Sequence, residues 1–176
     1  MKYTVFLLFL IFSLGSSGKE IKLPKTVYAP AFRDPGEIDV KVGPLLVDET
    51  AVTNKEFLAF VKTNPHFKKS KIPSLYADSG YLSHWSSDIT FAKAEAEFPV
   101  THISWFAARK YCASSGKRLP TIAEWEVLSD AQNPKLESGI LEWYGKPDSK
   151  LRAVGKGQEN RFGVKNANGL IWEWVD

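Results

Sequence analysis

Between Phe98 and Val127 the chain carries a run of local signals that leaves few ways to fold it. Pro99, Val100 and Ile103 read as a short apolar strand. Ser104 follows where a helix needs an N-cap, because its hydroxyl can accept from a free N–H of the first turn. Trp105, Ala108, Tyr111 and Cys112 then recur at helical spacing and predict one apolar face. Gly116 falls where a helix ends on a left-handed residue, a conformation glycine reaches without a Cβ clash. Past Lys117-Arg118-Leu119-Pro120 a second helix starts at Thr121, and Glu124 completes a Thr-x-x-Glu capping box. Arg118 is expected to form an ion pair that pins the turn between these helices.

The 176 residues suffice for one domain with its own core. Six Trp, six Tyr and eleven Phe predict a core built around large rings. A net charge of +3 makes no case for nucleic acid or a membrane surface as partner. Residues 1–18 read as a signal peptide: Lys2, an apolar run from Val5 to Leu14, then Ser16-Ser17-Gly18 for cleavage. The run falls short of the roughly 20 apolar residues that span a bilayer. Residues 19–176 would then form the domain, periplasmic or secreted, with no membrane attachment after cleavage. Cys112 is the only cysteine, so no intramolecular disulfide can form, and its place on an apolar face predicts burial.

Elsewhere the signals are more local. Pro24, Pro30, Pro35 and Pro44 predict irregular connections, with one strand beginning at Val40 and Val42 and ending at Leu45–Val47. Thr53 and Glu56 form another capping box, with Val52 set to staple against Phe57. Phe57, Leu58, Phe60 and Val61 give that helix its buried face, and Asn64-Pro65 stops it. Lys68, Lys69 and Lys71 read as a solvated face. Ile140, Leu141, Trp143 and Tyr144 predict a single helical turn packed on the core. Gly155-Lys156-Gly157 lacks the Lys-Ser/Thr pair and the helix that a phosphate loop requires. His66, His84 and His102 share no metal-type spacing and are expected to be structural. Glu124 and Glu126 lie two apart and face different ways, so they make no acid/base pair. No Ser/His/Asp or Cys/His nucleophile arrangement stands out.

Three ordered landmarks resemble the sulfatase-modifying-factor family, the formylglycine-generating enzymes and their relatives. They are D-E-T-A-V-T-N-x-E-F at Asp48–Phe57, the stretch from P-V-x-x-I-S-W at Pro99 to G-K-R-L-P-T-x-A-E-W-E at Glu126, and F-G-V-x-N-x-x-G-x-I-W-E-W at Phe162–Trp174. The resemblance implies an α+β, C-type-lectin-like fold with few short strands and helices, much irregular loop, and the final part of the domain lacking. L-Y-A-D-x-x-Y-L-x-H-W at Leu75–Trp85 and G-L-I-W-E-W-V at Gly169–Val175 are similar to a narrower branch, the NirV-type accessory proteins that accompany copper nitrite reductases.

By the same resemblance, calcium would be held by Asn166, Gly169, Ile171 and Glu173. A hard cation prefers such oxygen ligands. The family's oxidases use two late cysteines that bind copper(I), and this sequence holds no such pair, so copper is not expected here. The implied function is a non-catalytic accessory protein, with nitrite reductase or another periplasmic redox protein as partner. One alternative is a formylglycine-generating oxidase whose catalytic C-terminal part is missing or on another chain. Another is a calcium-dependent, lectin-like binding module.

Overall fold

The computed structural model describes residues 18–29, 36, 38–130, 133–146 and 150–176. Most of the signal-peptide expectation, residues 1–17, lies outside them. Four strands and four α-helices follow in order: β1 (Glu20–Leu23), β2 (Thr26–Tyr28), β3 (Val40–Val42), β4 (Leu45–Asp48), α1 (Asn54–Thr63), α2 (Trp105–Ser114), α3 (Ile122–Ser129) and α4 (Pro134–Tyr144). None of the described helices is long and apolar enough to cross a membrane.

The strands form two antiparallel pairs, β1 with β4 and β2 with β3. Ile21 and Leu23 point inward while Glu20 and Lys22 face out, the alternation that a half-covered strand requires. The single strand expected over 40–47 is therefore two. Gly43 takes φ +76, and a Cβ there would meet the Pro24 carbonyl at 2.9 Å, so the chain turns at this glycine and β4 changes partner.

The helix caps form as the local chemistry dictates. Thr53 and Thr121 each accept from the N3 amide, and Glu56 and Glu124 return bonds to the cap amides. Such caps are each worth about 0.5–2 kcal/mol. Ser104 accepts from the Ala107 amide. Gly116, at φ +70, closes α2 with two backbone bonds, Lys117 to Cys112 at 2.9 Å and Gly116 to Ala113 at 3.2 Å. These satisfy carbonyls that a helix end otherwise leaves open.

Two further expectations are corrected. Residues 99–103 form no strand: Val100 donates to the Val52 carbonyl, Pro99 bridges Thr53, and His102 then takes a left-handed φ of +54. The turn expected around Ile140–Tyr144 is an eleven-residue helix, opened by the Asn133 side chain capping the Lys135 amide and by Pro134 at N1. It packs loosely. None of its residues is buried, and Leu141 and Tyr144 are exposed.

Two clusters make the core. The first gathers Phe57, Phe60 and Val61 of α1, Tyr81, Leu82 and Trp85 of the long loop, Val100, and Ala107 and Tyr111 of α2. Its aromatic rings stack at tilted or edge-on angles, with Phe57 to Tyr111 at 5.8 Å and Phe57 to Trp85 at 6.3 Å. The second joins Ile21, Leu23 and Val42 to Val127 and Leu128 of α3 and to Val164 and Ala167 of the C-terminal loop. Cys112 and Trp105 are only half-buried, because α2 turns Ala107, Ala108 and Tyr111 inward.

Candidate functional site

The C-terminal segment wraps over α3 and is pinned by side chains. Asn160 donates to the Leu128 carbonyl at 2.5 Å and accepts from the amides of Phe162 and Val164, which fixes the entry to the loop. Asn168 donates to the Ser129 carbonyl at 2.7 Å. Further on, two indoles tie the tail to the Ile103–Trp105 stretch: Trp174 donates to the Ile103 carbonyl and Trp105 to the Val175 carbonyl. The Asp176 amide reaches the Pro120 carbonyl at 2.8 Å.

Two adjoining hollows result. A smaller one of about 290 Å³ is lined by Asn166, Gly169, Trp143 and Arg152 among others. A broad groove of about 1420 Å³ runs past Cys112, Leu119, Trp125, Tyr144, Trp172 and Glu173. Trp143, Tyr144 and Trp172 meet ring to ring at 5.1–5.7 Å beside it, and Trp172 is 73 % exposed.

The four residues assigned to calcium divide between these hollows. Asn166 and Gly169 line the smaller; Ile171 and Glu173 line the groove. Asn166 is buried at φ +59, and neither its carboxamide oxygen nor its nitrogen has a hydrogen-bond partner. An orphaned buried oxygen of this kind suits a hard cation. Gly157 leaves the room, since a Cβ there would lie 1.7 Å from the Asn166 nitrogen.

The other donors are partly committed. The Gly169 carbonyl accepts from Arg152 at 3.2 Å, and Glu173 Oε2 accepts from the Trp125 indole at 3.0 Å. Desolvation of the Glu173 carboxyl by the surrounding protein raises its pKa above the ordinary carboxylate value, and the Trp125 indole bond opposes the rise. The donor chemistry fits calcium at Asn166. The Gly169 carbonyl has a second lone pair beside the one that Arg152 occupies. Among the described residues no three His, Cys, Asp or Glu side chains come together.

The lone thiol sits on the groove wall. Burial raises the Cys112 pKa, the Asp48 carboxylate adds to the rise, and Lys117 opposes both. Lys117 is itself engaged, bridging Glu20 at 2.7 Å and Asp48 at 2.6 Å. Such a thiol stays protonated and is a poor nucleophile.

The histidines are arranged less simply than their spacing suggests. His66 stands apart on the turn after α1, but the rings of His84 and His102 lie 5.8 Å apart. Asn54, whose bland role is to begin α1, points its carboxamide oxygen at both the His84 Nε2 and the Trp85 indole. Nothing in the local pattern around Thr53-Asn54 signals that second task.

These features define the class. Residues 20–176 match the family described as the sulfatase-modifying factor enzyme 1-like domain. The chain belongs to this family, whose fold is C-type-lectin-like, and its short strands and four helices agree with that fold. It is 31 % identical to the formylglycine-generating enzyme of Streptomyces coelicolor, over 77 % of this chain and 58 % of that protein. It is 25 % identical to the inactive C-alpha-formylglycine-generating enzyme 2 of Bos taurus, over 78 % of this chain and 61 % of that protein. A serine/threonine-protein kinase, pkn1 of Chlamydia caviae, is 25 % identical over 74 % of this chain and 22 % of its own length. The chain thus spans about three-fifths of the formylglycine-generating relatives it matches. Those relatives include both active and inactive proteins.

Proposed function

We propose that this chain is a periplasmic or secreted, non-catalytic accessory protein of the formylglycine-generating-enzyme-like family, of the branch that accompanies copper nitrite reductase. It would assist that reductase's maturation or copper supply. The observation that carries the non-catalytic part is the state of its sulfur. Its one cysteine, Cys112, is half-buried beside Asp48 with its thiol held protonated, whereas thiolate chemistry on copper(I) needs a deprotonated pair. Likeness to an inactive relative supports the same reading. The Leu75–Trp85 motif supports the branch.

The test has two arms. Incubating the purified chain with copper(I), oxygen and a cysteine peptide should give no aldehyde by mass spectrometry. Mixing it with the apo form of a copper nitrite reductase should give a complex and faster copper loading. Aldehyde formation by the chain alone would overturn the reading and favour an oxidase. No complex would remove nitrite reductase as the partner.

A second reading, a calcium-dependent binding module, is favoured by the orphaned carboxamide of Asn166 and, on the adjoining groove, the exposed ring of Trp172. Asn166, Gly169, Ile171 and Glu173 would supply the oxygens, with water completing the shell. Calcium at 100 times its Kd should raise the Tm by about 5–10 °C, and Glu173→Ala should abolish the shift. An unchanged Tm would sink the calcium assignment.

A further inference from the structure

We propose that His84 and His102 form a binding site for one borderline divalent transition-metal ion, filled by copper(II) in preference to zinc, at the edge of the groove. The Trp85 indole can only donate, and it points at Asn54 Oδ1 at 2.9 Å. The atom facing it must therefore be the carboxamide oxygen. The amide nitrogen of Asn54 points the other way, donating to the Glu95 carbonyl at 3.0 Å, which agrees with this orientation.

His84 Nε2 approaches the same oxygen at 3.1 Å, so in the neutral ring Nε2 carries the proton. Its Nδ1 is then a bare lone pair. That nitrogen is buried and has no partner. A ring whose N–H is anchored on a fixed carbonyl-type oxygen, with the other nitrogen free, is the arrangement that metal-bound histidines adopt. Asn54, only 1 % exposed, is the rigid second member that sets the ring.

His102 supplies the second imidazole. Its Nδ1 lies 3.2 Å from the Thr101 hydroxyl, which leaves Nε2 for a ligand, and its side chain is exposed on the groove. Two rings sharing an ion at about 2 Å have centroids no more than roughly 6–6.5 Å apart, and these stand at 5.8 Å.

The backbone bears a cost to hold them there. Leu82 and His102 both take left-handed φ, +48 and +54, and they are joined by a 2.7 Å bond from the Leu82 amide to the His102 carbonyl. Non-glycine residues in that region persist only where the surrounding structure fixes them, and they cluster at functional sites. Imidazole nitrogen suits copper(II), nickel and zinc, and copper(II) binds tightest of the series. Water would complete the coordination. This chemistry is distinct from that of a thiolate pair, and the site stands whether or not the chain partners a reductase.

The test titrates the intact chain with copper(II) and with zinc at pH 7.5. Expected are one tight copper(II) per chain, nitrogen hyperfine splitting in its EPR spectrum, and weaker zinc binding. His102→Ala, at an exposed position, should fold normally and weaken copper(II) by at least about tenfold. His84→Gln should do the same, while His66→Ala should change nothing. Copper(II) affinity unchanged in His102→Ala, or the lack of a nitrogen-ligated one-to-one complex, would overturn the proposal.

Discussion

Arg118 grips Glu124 with both arms of its guanidinium, Nη1 to Oε2 at 2.6 Å and Nη2 to Oε1 at 2.7 Å. The same carboxylate closes the α3 capping box on the Thr121 amide at 2.8 Å, and Nη1 also reaches the Leu119 carbonyl. One residue pair thus locks the α2–α3 turn, the start of α3 and one wall of the groove.

This lock should be visible in the pH dependence of stability. The Arg118 bond is the largest cause holding the Glu124 carboxyl at about 2, far below its ordinary 4.5. A carboxyl depressed in the folded state adds stability that is complete above the unfolded value and is lost as pH falls from about 4.5 towards 2. Arg118 is 55 % exposed, so solvent screens part of the effect. Arg118→Ala is expected to cost about 1–2 kcal/mol at pH 7 and to flatten the acid limb. Urea unfolding at pH 7 and pH 3 measures both.

What the sequence made legible were features whose causes lie within a few residues. Thr53-x-x-Glu56, Thr121-x-x-Glu124, Ser104 and Gly116 each act on backbone groups one turn away, so their caps follow from composition alone. Arg118 and Glu124 are six apart and only half legible: the turn calls for an ion pair at Arg118, but the spacing does not single out its partner. The break at Gly43 depends on Pro24 approaching from another strand, and no local pattern shows that. The pairing of His84 with His102 depends on a backbone bond between residues twenty apart in sequence, Leu82 and His102. The candidate calcium residues came from resemblance, and what residue spacing could not show was that Asn166 and Ile171 face different hollows.

Asn54 should matter more than its place at a helix start suggests. Its carboxamide satisfies the buried Trp85 indole, orients His84 and holds the Glu95 carbonyl. Asn54→Ala leaves a buried indole N–H without an acceptor, a loss of about 1–3 kcal/mol for one such group. Thermal unfolding should show a correspondingly lower Tm. Asn54→Asp, which keeps the acceptor oxygen, should be milder. Equal stability of Asn54→Ala and the parent would contradict the hydrogen-bond assignment.

Cys112 should react slowly. With its thiol pKa pushed up by burial and by Asp48, its thiolate fraction at pH 8 falls below that of free cysteine. Alkylation by iodoacetamide should accordingly lag behind a cysteine peptide by about tenfold or more, and should speed up in urea. Removing the neighbouring charge in Asp48→Asn should accelerate it modestly. Fast alkylation of the folded chain would argue for an activated thiol and against the non-catalytic reading.

The last prediction separates two titrations within one molecule. Burial lowers the His84 pKa below its ordinary 6.5, with His102 and Lys69 adding to the fall and Glu95 opposing it. The folded chain therefore resists the proton that the unfolded chain accepts. Stability is complete above about 6.5 and declines as pH drops below it, because the unfolded state then binds more protons. Glu124's contribution is lost only as pH falls below about 4.5, so the His84 loss sets in at the higher pH. His84→Gln should flatten the decline that begins below about pH 6.5 while leaving the Glu124 limb in place, and Arg118→Ala should do the reverse. Unfolding free energies measured from pH 8 to pH 3 on the parent and both variants decide it: a parent profile that is level from pH 7 to 5 would mean His84 is not held neutral by its surroundings.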